Sequence, residues 1–245
     1  MTQSGETAGA ECGPAVILTG AAGAIGAAIA ARFAEAGWQV VGVDLRFPDA
    51  TPHLAARIEQ DICDAPAFRD RLVALGAEWD IAALVNCAGM ATVGRFLDLD
   101  PAGWQKLIDV NLVAAITACH AAMPAMIARG GGSIVNIISD SARLGAGGEA
   151  VYSATKGGLA SFSKSIAQEV GRSGIRVNCV SPGPVETPMS APNQAVLDKL
   201  RQRTPMKRIA QPSDIAGSVF FLASPDAAFV SGQTISVSGG LTMAG

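Results

Sequence analysis

The sequence predicts an α/β fold in which helices cover both faces of a parallel sheet. Three observations carry this prediction: short runs rich in Val, Ile and Leu alternate with longer segments of helical periodicity, 49% of the 245 residues are hydrophobic, and no repeat or linker divides the chain. Near-continuous apolar runs are typical of parallel strands that are buried on both faces. Right-handed crossovers between such strands give one doubly wound domain with about seven strands.

The predicted elements follow one another in a regular order. The strands are short apolar runs, namely Ala15–Thr19, Gln39–Asp44, Arg57–Asp61, Ile81–Asn86, Ser133–Ser139, Arg176–Ser181 and Thr234–Val237. The helices are the longer periodic segments between them, namely Ile25–Ala36, Pro66–Leu75, Trp104–Arg129, Tyr152–Gly171 and Ser213–Ala223. In the fourth of these helices the apolar residues recur at helical spacing, which predicts one buried face.

Two segments lie outside this regular order. Residues 1–13 are mostly small and polar, and we predict that they are disordered, so that the folded domain spans residues 14–245. The stretch Pro182–Pro205 contains five prolines and is too long for an ordinary connection. Long loops of this kind often cover a binding site, so we predict a substrate lid around residues 184–205.

The composition excludes several classes of function. A nucleic-acid or anionic-membrane partner needs a concentrated basic face, whereas the net charge is -3 and no run of Lys and Arg exceeds two residues. The N-terminus lacks the pattern of a signal peptide, and no apolar run reaches the roughly 18–20 residues of a membrane span. Five cysteines without a CxxC pair, and two histidines, argue against a disulfide framework or a metal site. We expect a cytoplasmic protein without a metal, nucleic-acid or membrane partner.

A turn of small residues joins the first strand to the first helix. It reads Thr-Gly-Ala-Ala-Gly-Ala-Ile-Gly over residues 19–26. Small residues let backbone N–H groups and a helix N-terminus approach a pyrophosphate without clashes. An ordinary tight turn would use similar residues, but this turn lies where the strand order should reverse, which is the usual ligand crevice of such sheets. The predicted dinucleotide contacts are Gly20, Gly23, Ala24, Ile25 and Gly26.

The tip of the second strand indicates which nicotinamide dinucleotide is bound. Asp44 can accept hydrogen bonds from both ribose hydroxyls there and would repel a 2′-phosphate, which favours NAD over NADP. Arg46 is a competing signal, because a nearby cation could accommodate that phosphate. We predict NAD because Asp44 occupies the strand tip itself.

A tyrosine, a lysine and a serine are the candidates for the chemistry. Tyr152, the only tyrosine in the chain, lies four residues before Lys156 in a helical segment, so both lie on one helix face. A phenol is a poor acid or base at neutral pH until a nearby cation such as Lys156 lowers its pKa. Ser139 ends the preceding strand, where its hydroxyl could donate a hydrogen bond to a substrate oxygen. A surface pair and a serine cap are the commoner explanations of each feature alone, and their combination with the glycine turn favours a catalytic site.

These motifs together resemble those of the short-chain dehydrogenase/reductase family, from about Pro14 to the C-terminus. In family order they are the turn at residues 19–26, Asp61-Ile62, Asn86-Cys87-Ala88-Gly89, Asn111, Ser139, Tyr152-Ser153-Ala154-Thr155-Lys156, and Pro182-Gly183 with Thr187. Ser139 lies 13 positions before Tyr152, a spacing common in the family. The resemblance implies a Rossmann-like fold and an NAD(H)-dependent oxidoreductase that transfers hydride between the nicotinamide and a secondary alcohol or ketone.

The resemblance also implies a role for each matching residue. Tyr152 would be the general acid/base, Ser139 would orient the substrate oxygen, and Lys156 would lower the pKa of Tyr152 and hold the nicotinamide ribose. Asn111 would hold a water molecule that links Lys156 to solvent. The implied cofactor contacts, from the adenine to the nicotinamide, are Asp61, Ile62, Asn86, Ala88, Gly89, Pro182, Gly183, Val185 and Thr187.

Two positions depart from the family pattern. The turn usually reads Thr-Gly, three variable residues and Gly-x-Gly, whereas Ala24 stands at the second glycine here. Alanine adds only a methyl group, so we expect dinucleotide binding to survive. Cys87 stands at the second asparagine of the usual Asn-Asn-Ala-Gly, which braces the central sheet, so we expect a change in stability more than in activity. A functional Cys87 thiol is the alternative to a buried small side chain.

The predicted substrate pocket is formed by Met90–Val93, Ala142–Glu149 and the segment around Glu186–Leu197. Glycines and apolar side chains such as Met189 favour a small ring or a medium aliphatic ketone. Arg143 could meet an anionic group or remain in solvent. The C-terminal sequence resembles family members that oxidise cyclic alcohols or hydroxyacyl-CoA thioesters.

Two other functions remain open on the sequence. A 3-oxoacyl-[acyl-carrier-protein] reductase would use NADPH strictly and act on acyl-carrier-protein substrates. A non-catalytic nucleotide-sensing module belongs to another class, although such relatives usually lose the tyrosine or the lysine that this chain keeps. Besides a small-molecule substrate, the resemblance implies a homotetramer, in which Trp104–Arg129 and Tyr152–Gly171 pack across one two-fold axis and the C-terminal helix and strand across another.

Overall fold

The computed structural model describes residues 13–188 and 194–243, and within them seven strands form one parallel sheet. The strands are β1 (Ala15–Thr19), β2 (Gln39–Asp44), β3 (Ala56–Glu59), β4 (Ile81–Asn86), β5 (Gly132–Ile137), β6 (Ile175–Pro182) and β7 (Thr234–Val237). Their order across the sheet is β3-β2-β1-β4-β5-β6-β7, so the direction of winding reverses between β1 and β4. The predicted doubly wound, Rossmann-like domain is thereby confirmed.

Eight α-helices connect the strands of the described residues. They are α1 (Ala24–Glu35), α2 (Ala65–Glu78), α3 (Pro101–Ile108), α4 (Ala114–Arg129), α5 (Ser141–Leu144), α6 (Ala150–Val170), α7 (Gln194–Arg203) and α8 (Pro212–Ala223). Asp64 and Asp100 begin α2 and α3 as N-caps, each accepting a hydrogen bond from a backbone N–H two or three residues later. A π-helical turn, Asp109–Val113, joins α3 to α4 without a break.

The core lies on both faces of the sheet, and β1 shows how one strand supplies both. Ala15 and Ile17 pack on the face covered by α2, α4 and α6, whereas Val16 and Leu18 pack on the face covered by α1 and α8. Successive side chains of a strand point to opposite faces, so a strand between two helical layers has to be apolar throughout. Burying each large aliphatic side chain contributes about 1.5–3 kcal/mol relative to its exposure.

The continuous helical stretch Pro101–Arg129 is long and apolar. It spans 29 residues, and an 18-residue window within it has a mean hydropathy of 1.6, which by length and composition alone would allow it to cross a membrane. However, 44% of its apolar window is buried within the protein. Ala114, Ala118, Ala122 and Met126 belong to the core against the sheet, so the stretch is a core helix of this domain.

Two predicted strands end earlier than expected. Strand β3 ends at Glu59 rather than Asp61, because the Asp61 carboxylate accepts a hydrogen bond from the Cys63 N–H and closes a turn there. Strand β5 ends at Ile137, and Ser139 therefore lies just beyond the strand instead of terminating it. In both cases the residue of interest moves from a strand into the loop that faces the carboxyl edge of the sheet.

Two helices occur where none was predicted. Helix α7 occupies Gln194–Arg203 within the proline-rich stretch that was expected to be irregular, and the short α5 lies directly after Ser139. The third predicted helix begins at Pro101 instead of Trp104, as an Asp-Pro pair at a helix start would allow. Residues 1–12, Met189 with the rest of 189–193, and residues 244–245 lie outside the described residues, so the expectations placed on them stay predictions.

Candidate active site

Strands β1 and β4, between which the winding reverses, end side by side. Thr19 at the tip of β1 accepts hydrogen bonds through its hydroxyl from the backbone N–H groups of Cys87 and Ala88, each at 3.2 Å. Beyond this contact the carboxyl ends of the strands open into a cleft of about 1360 Å³. A cleft at this position is expected, because the loops that leave β1 and β4 run to opposite faces of the sheet.

The glycine turn is shaped by close backbone contacts. Gly20 has a φ of +71°, and a side chain there would lie 2.7 Å from the backbone of Ala88. A Cβ atom at Gly26 would overlap the carbonyl oxygen of Gly20. Gly23, by contrast, is the N-cap of α1 with a φ of -72°, and a Cβ atom there would lie 3.3 Å from the same oxygen. The first and third glycines are therefore required by the turn, which leaves the N-terminus of α1 open to the cleft.

Asp44 is held in a fixed orientation at the tip of β2. One carboxylate oxygen accepts a hydrogen bond from the Ala22 N–H at 2.9 Å, and the other accepts one from the Leu45 N–H at 2.7 Å. Asp44 and Leu45 both line the cleft, whereas Arg46 is exposed and lies outside its lining. The carboxylate, and not the guanidinium, is thus the charge presented at this end.

The opposite wall of this end of the cleft comes from the segment after β3 and from α3. Asp61 and Ile62 line the cleft as the sequence predicted, together with Cys63. Helix α3 adds Gln105 and Lys106 to the lining of the cleft, and neither residue was predicted from the sequence. Nothing in the local sequence marks these two residues, because they reach the cleft only through the way α3 packs.

Lys156 and Asn111 lie together below the middle of the cleft. The Lys156 amine donates a hydrogen bond to the Ile137 carbonyl at 2.9 Å, and burial lowers its pKa to about 8. The Asn111 amide exchanges two hydrogen bonds of 2.9 Å with the backbone of Met90. A Cβ atom at Gly89 would lie 3.1 Å from Asn111 Oδ1 and 3.3 Å from Lys156 Nζ, so these groups converge at one point. Lys156 lines the cleft, and Asn111 lies behind it.

Tyr152 and Ser139 line the other end of the cleft together. Burial raises the pKa of Tyr152, the neighbouring Ser139 hydroxyl lowers it, and the nearby Glu149 carboxylate raises it again. The net direction is upward, whereas the family resemblance implied a lowering by Lys156. The reason is that burial is the largest influence on this phenol and outweighs the effect of Ser139, while the Lys156 amine donates its hydrogen bond to the Ile137 carbonyl.

The segment after β6 covers the cleft at this end. The predicted contacts Pro182, Gly183, Val185 and Thr187 all line the cleft. The Glu186 carboxylate accepts a hydrogen bond of 2.7 Å from the Gln211 side chain and forms an ion pair of 3.4 Å with Arg201 of α7. Helix α7 is thereby tied to the segment after β6, and its contribution to the cleft consists of Val196, Leu197 and Leu200.

Asn86 does not reach the cleft as the sequence predicted. Its amide nitrogen donates to Asn136 Oδ1 at 2.8 Å, and the Asn136 amide nitrogen donates to Ser163 Oγ at 2.8 Å, so the chain of bonds braces β4, β5 and α6 from within the core. Asn86 Oδ1 is buried without a hydrogen-bond partner in the described residues. Burial raises the pKa of Cys87 to about 12, so its thiol stays protonated and packs as a small apolar group.

Only some of the residues predicted to form the substrate pocket line the cleft. The residues of the predicted pocket walls that line the cleft are Met90, Ala91, Ala146, Glu149, Thr187, Pro188, Val196 and Leu197. Ser141, which lies just before the second predicted wall, lines the cleft as well. Val93 and Leu144 are 72% and 64% exposed and turn away from it, and Arg143 lies outside its lining. Ser141 was not singled out from the sequence, although a Ser-x-Ser pattern starting at Ser139 is the signal that could have found it.

The cleft fits a nicotinamide dinucleotide by its chemistry and size. Glycines allow close approach at one end, a carboxylate stands at a strand tip suited to a ribose, and a tyrosine stands at the other end. Small-molecule pockets usually have volumes of about 300–1000 Å³, so a cleft of about 1360 Å³ has room for a dinucleotide and a substrate. Among the described residues no group of three or more His, Cys, Asp or Glu side chains is arranged to hold a metal ion.

Comparison with known proteins agrees with this arrangement. Residues 20–242 match a family model described as enoyl-(acyl carrier protein) reductase. Nodulation protein G of Rhizobium meliloti is 37% identical over 240 residues, which cover 94% of this chain and 98% of that protein. Acetoacetyl-CoA reductase of Allochromatium vinosum is 35% identical over 246 residues, which cover 93% of this chain and 98% of that protein.

A solved structure extends the likeness to three dimensions. The crystal structure of a putative NAD(P)-dependent gluconate 5-dehydrogenase from Beutenbergia cavernae, with NADP bound at low occupancy, superimposes with a TM-score of 0.89 at 30% identity. The match covers 94% of this chain and 97% of that chain. The match of fold, motifs and sequence over nearly the whole chain shows that this protein belongs to the short-chain dehydrogenase/reductase family of nicotinamide-dependent oxidoreductases.

Proposed function

We propose that the protein transfers hydride between NAD(H) and a small secondary alcohol or ketone, with Tyr152 as its proton-transfer group. The observation that carries this proposal is that Tyr152 and Ser139 line one end of a cleft whose other end holds the glycine turn and Asp44. A proton-transfer group and a nucleotide cradle in one cleft are what a hydride transfer requires.

Proton transfer follows from the chemical end of the cleft. The nicotinamide supplies the hydride in reduction and accepts it in oxidation. Tyr152 donates its proton to the developing alkoxide during reduction, and its phenolate removes the alcohol proton during oxidation. Ser139 donates a hydrogen bond to the same substrate oxygen. Because the pKa of Tyr152 is raised, the phenol is protonated at neutral pH, so reduction is favoured there and oxidation at alkaline pH.

Lys156 and Asn111 support the proton transfer from the floor of the cleft. We assign the buried Lys156 amine to the nicotinamide ribose, since it lines the cleft beside Gly89. Asn111 fixes the backbone of Met90, and its Oδ1 keeps a second lone pair for the water molecule of a proton relay. The remaining cofactor contacts in this proposal are those of the cleft lining, namely Gly20, Gly23, Ala24, Ile25, Gly26, Asp61, Ile62, Ala88, Pro182, Gly183, Val185 and Thr187.

The preference for NAD over NADP is part of the proposal. It is supported by the orientation of Asp44 towards the cleft and by the position of Arg46 outside the lining. A 2′-phosphate beside a fixed carboxylate would be repelled. The Beutenbergia cavernae structure holds NADP, so the preference of this chain has to be measured for itself.

The substrate end favours a neutral molecule. Of the described residues that line the cleft, the cationic ones are Lys106 at the nucleotide end and Lys156 in the middle. Near Tyr152 the carboxylate of Glu149, which raises the pKa of that tyrosine, would disfavour a substrate with its own carboxylate at that place. We therefore propose an uncharged alcohol or ketone, of which a cyclic one is the first candidate.

Reduction of a 3-oxoacyl thioester is the second candidate. It is favoured by the likeness to acetoacetyl-CoA reductase, whose name describes the reduction of such a thioester. A thioester carries no charge at its reacting carbon, so the carboxylate of Glu149 does not exclude it. Strict use of NADPH would favour this candidate over the first.

A turnover screen tests the proposal and separates the candidates. Purified protein is mixed with NAD or NADP, and in the reverse direction with NADH or NADPH, against linear, cyclic, polyol and hydroxyacyl-CoA substrates, and the absorbance of the reduced nicotinamide is followed. We expect NAD-dependent turnover of one alcohol class. Absence of turnover on every class with NAD bound would contradict the proposal and favour a nucleotide-sensing module.

The fold boundary, the assembly and the location belong to the same proposal. We propose a folded domain from residue 14 onward with a lid around residues 184–205, and a cytoplasmic homotetramer. Exposed apolar side chains on α4, such as Ile127, and the fully exposed Phe229 before β7 support contacts between copies. The thiols of the four described cysteines are free, which suits a reducing compartment. Sedimentation of the protein as a monomer would contradict the assembly.

A further inference from the structure

The hydroxyl of Ser139 receives two hydrogen bonds from one neighbour. The Ser141 backbone N–H donates to Ser139 Oγ at 3.2 Å, and the Ser141 side-chain hydroxyl is 2.9 Å from the same atom. A serine hydroxyl has two acceptor lone pairs and one proton. If Ser141 fills both lone pairs, the one remaining capability of Ser139 is to donate its proton.

The hydroxyl–hydroxyl bond runs from Ser141 to Ser139, with Ser141 Oγ as the donor and Ser139 Oγ as the acceptor. Ser139 thereby keeps its single proton for the cleft, where its hydroxyl lies close enough to lower the pKa of Tyr152. The chain of donors therefore runs from Ser141 through Ser139 to the place where the substrate oxygen is bound.

We propose that Ser141 is a positioning residue that holds the Ser139 hydroxyl as a donor towards the reacting oxygen. This inference rests on the function proposed above, because it assigns Ser141 to the same proton-transfer site. Ser141 acts through Ser139 and needs no contact of its own with the substrate. Its effect is to remove the rotational freedom that a lone serine hydroxyl would keep in the cleft.

The start of a helix does not account for both contacts. Ser139 precedes α5, and a serine oxygen that accepts a backbone N–H two residues later is an ordinary local turn. That turn would form with any residue at position 141, since it uses the backbone alone. The side-chain hydroxyl adds a second donor of 2.9 Å that the turn does not need.

The charges around the pair leave this arrangement intact. The Asp140 carboxylate beside Ser139 accepts hydrogen bonds from Ser181 at 2.7 Å and from Ser236 at 3.1 Å, and is thus engaged away from Ser141. The Lys156 amine is bonded to the Ile137 carbonyl. The Glu149 carboxylate also acts on Tyr152, and it is unchanged in all the Ser139, Ser141 and Ser153 variants of this test.

The single tyrosine of the chain makes the proposal directly measurable. The absorbance of the Tyr152 phenolate is titrated with pH in the NAD-saturated protein, for the wild type, Ser139→Ala, Ser141→Ala and the double variant. We expect Ser141→Ala to raise the pKa of Tyr152 by about 0.3–0.7, in the same direction as Ser139→Ala but by less. In the Ser139→Ala background, Ser141→Ala is expected to change nothing further, because its effect passes through Ser139.

Turnover is the second measurement made on the same four proteins. With cyclohexanone and NADH as the probe, or the best substrate of the screen, we expect Ser141→Ala to lower kcat by about threefold to tenfold with little change in KM. Ser141→Thr keeps the hydroxyl and is expected to restore kcat. The matched control is Ser153→Ala, which removes a buried hydroxyl beside Tyr152 that has no partner among the described residues.

The outcomes separate this inference from the proposed function. Equal effects of Ser141→Ala with and without Ser139 would overturn the inference, since Ser141 would then act on the substrate or the fold by itself. A Ser153→Ala effect as large as that of Ser141→Ala would overturn it too. If Ser139→Ala left both the Tyr152 pKa and the turnover unchanged, the proposed function itself would fail.

Discussion

The two ends of the cleft are built in different ways. At the nucleotide end, the turn of residues 19–26 is held by backbone contacts so close that Gly20 and Gly26 admit no side chain. At the chemical end, Ser141 holds Ser139 by a hydrogen bond between their hydroxyls, and Tyr152 lies beside them in the cleft. The first end is therefore sensitive to any added atom, and the second to the loss of a single donor. A substitution that impairs one end and leaves the other unchanged tests this difference.

The largest structural effect is expected at Gly26. Gly26→Ala places a methyl group against the Gly20 carbonyl oxygen, so the turn has to open. We expect a loss of about 1–3 kcal/mol in the free energy of unfolding and a loss of NAD affinity of at least about tenfold. Denaturant unfolding and titration with NADH measure the two effects.

A glycine elsewhere provides the control for this substitution. Gly217 lies within α8 with no atom within 4 Å of the Cβ position, so Gly217→Ala should keep or slightly raise the stability. At Gly23 the contact would be 3.3 Å, and we expect Gly23→Ala to keep most of the stability that Gly26→Ala loses. Equal losses for Gly23→Ala and Gly26→Ala would show that the close contact at Gly26 is not what limits the turn.

The next effect concerns the cofactor preference. Asp44→Ala removes the carboxylate that lies at the tip of β2, and with it both the acceptor for the ribose hydroxyls and the repulsion of a 2′-phosphate. We expect the ratio of kcat/KM for NAD over NADP to fall by about tenfold or more. Arg46→Ala is the matched control, because Arg46 lies outside the cleft lining. An unchanged ratio in Asp44→Ala, or a large change in Arg46→Ala, would contradict the assignment of the preference to Asp44.

A smaller effect is expected at Glu149, and its sign is fixed by charge. The Glu149 carboxylate raises the pKa of Tyr152, so Glu149→Gln should lower that pKa. The phenolate forms at lower pH, and the pH profile of alcohol oxidation should shift to lower pH by about 0.3–0.5. Glu169→Gln, on the exposed face of the same helix, is the control and should leave the profile in place. A shift to higher pH would be incompatible with a carboxylate that faces Tyr152.

The smallest effect is expected in the proposed lid around residues 184–205. The Glu186–Arg201 ion pair has both side chains 40% exposed, and such pairs contribute about 0–1 kcal/mol. Arg201→Ala should therefore raise KM by up to about fivefold and leave kcat unchanged, because α7 is held less firmly over the cleft. Arg203→Ala, an exposed residue of the same helix, is the control for charge alone. A fall in kcat with constant KM would show that α7 takes part in the chemistry instead.

The difference between the two ends also explains what could be predicted from the sequence. The turn was predictable because a backbone contact that excludes Cβ leaves glycine as a visible mark at Gly20 and Gly26. The Tyr152–Lys156 pair was predictable because helical spacing puts both residues on one face. The sheet was predictable because β1 and its neighbours are apolar throughout.

Other features left no such mark. Helix α7 was missed because its sequence is polar and is flanked by prolines, which obscured the one buried side of the helix at Leu197. The π-helical turn Asp109–Val113 was also missed, and the Asn111 side chain within it exchanges two hydrogen bonds with the backbone of Met90, a contact that no local pattern records. Asn86 was placed in the cleft because a motif gives order along the chain but not the direction of a side chain.

The central claim is that Tyr152 transfers the proton while the nucleotide end binds the cofactor independently. The most direct test is Tyr152→Phe, in which turnover and NADH affinity are measured on the same preparation. We predict that turnover falls by about 10²–10⁴-fold, since the phenol oxygen is lost, while NADH affinity stays close to that of the wild type. Retained turnover, or turnover lost together with NADH binding, would contradict the account.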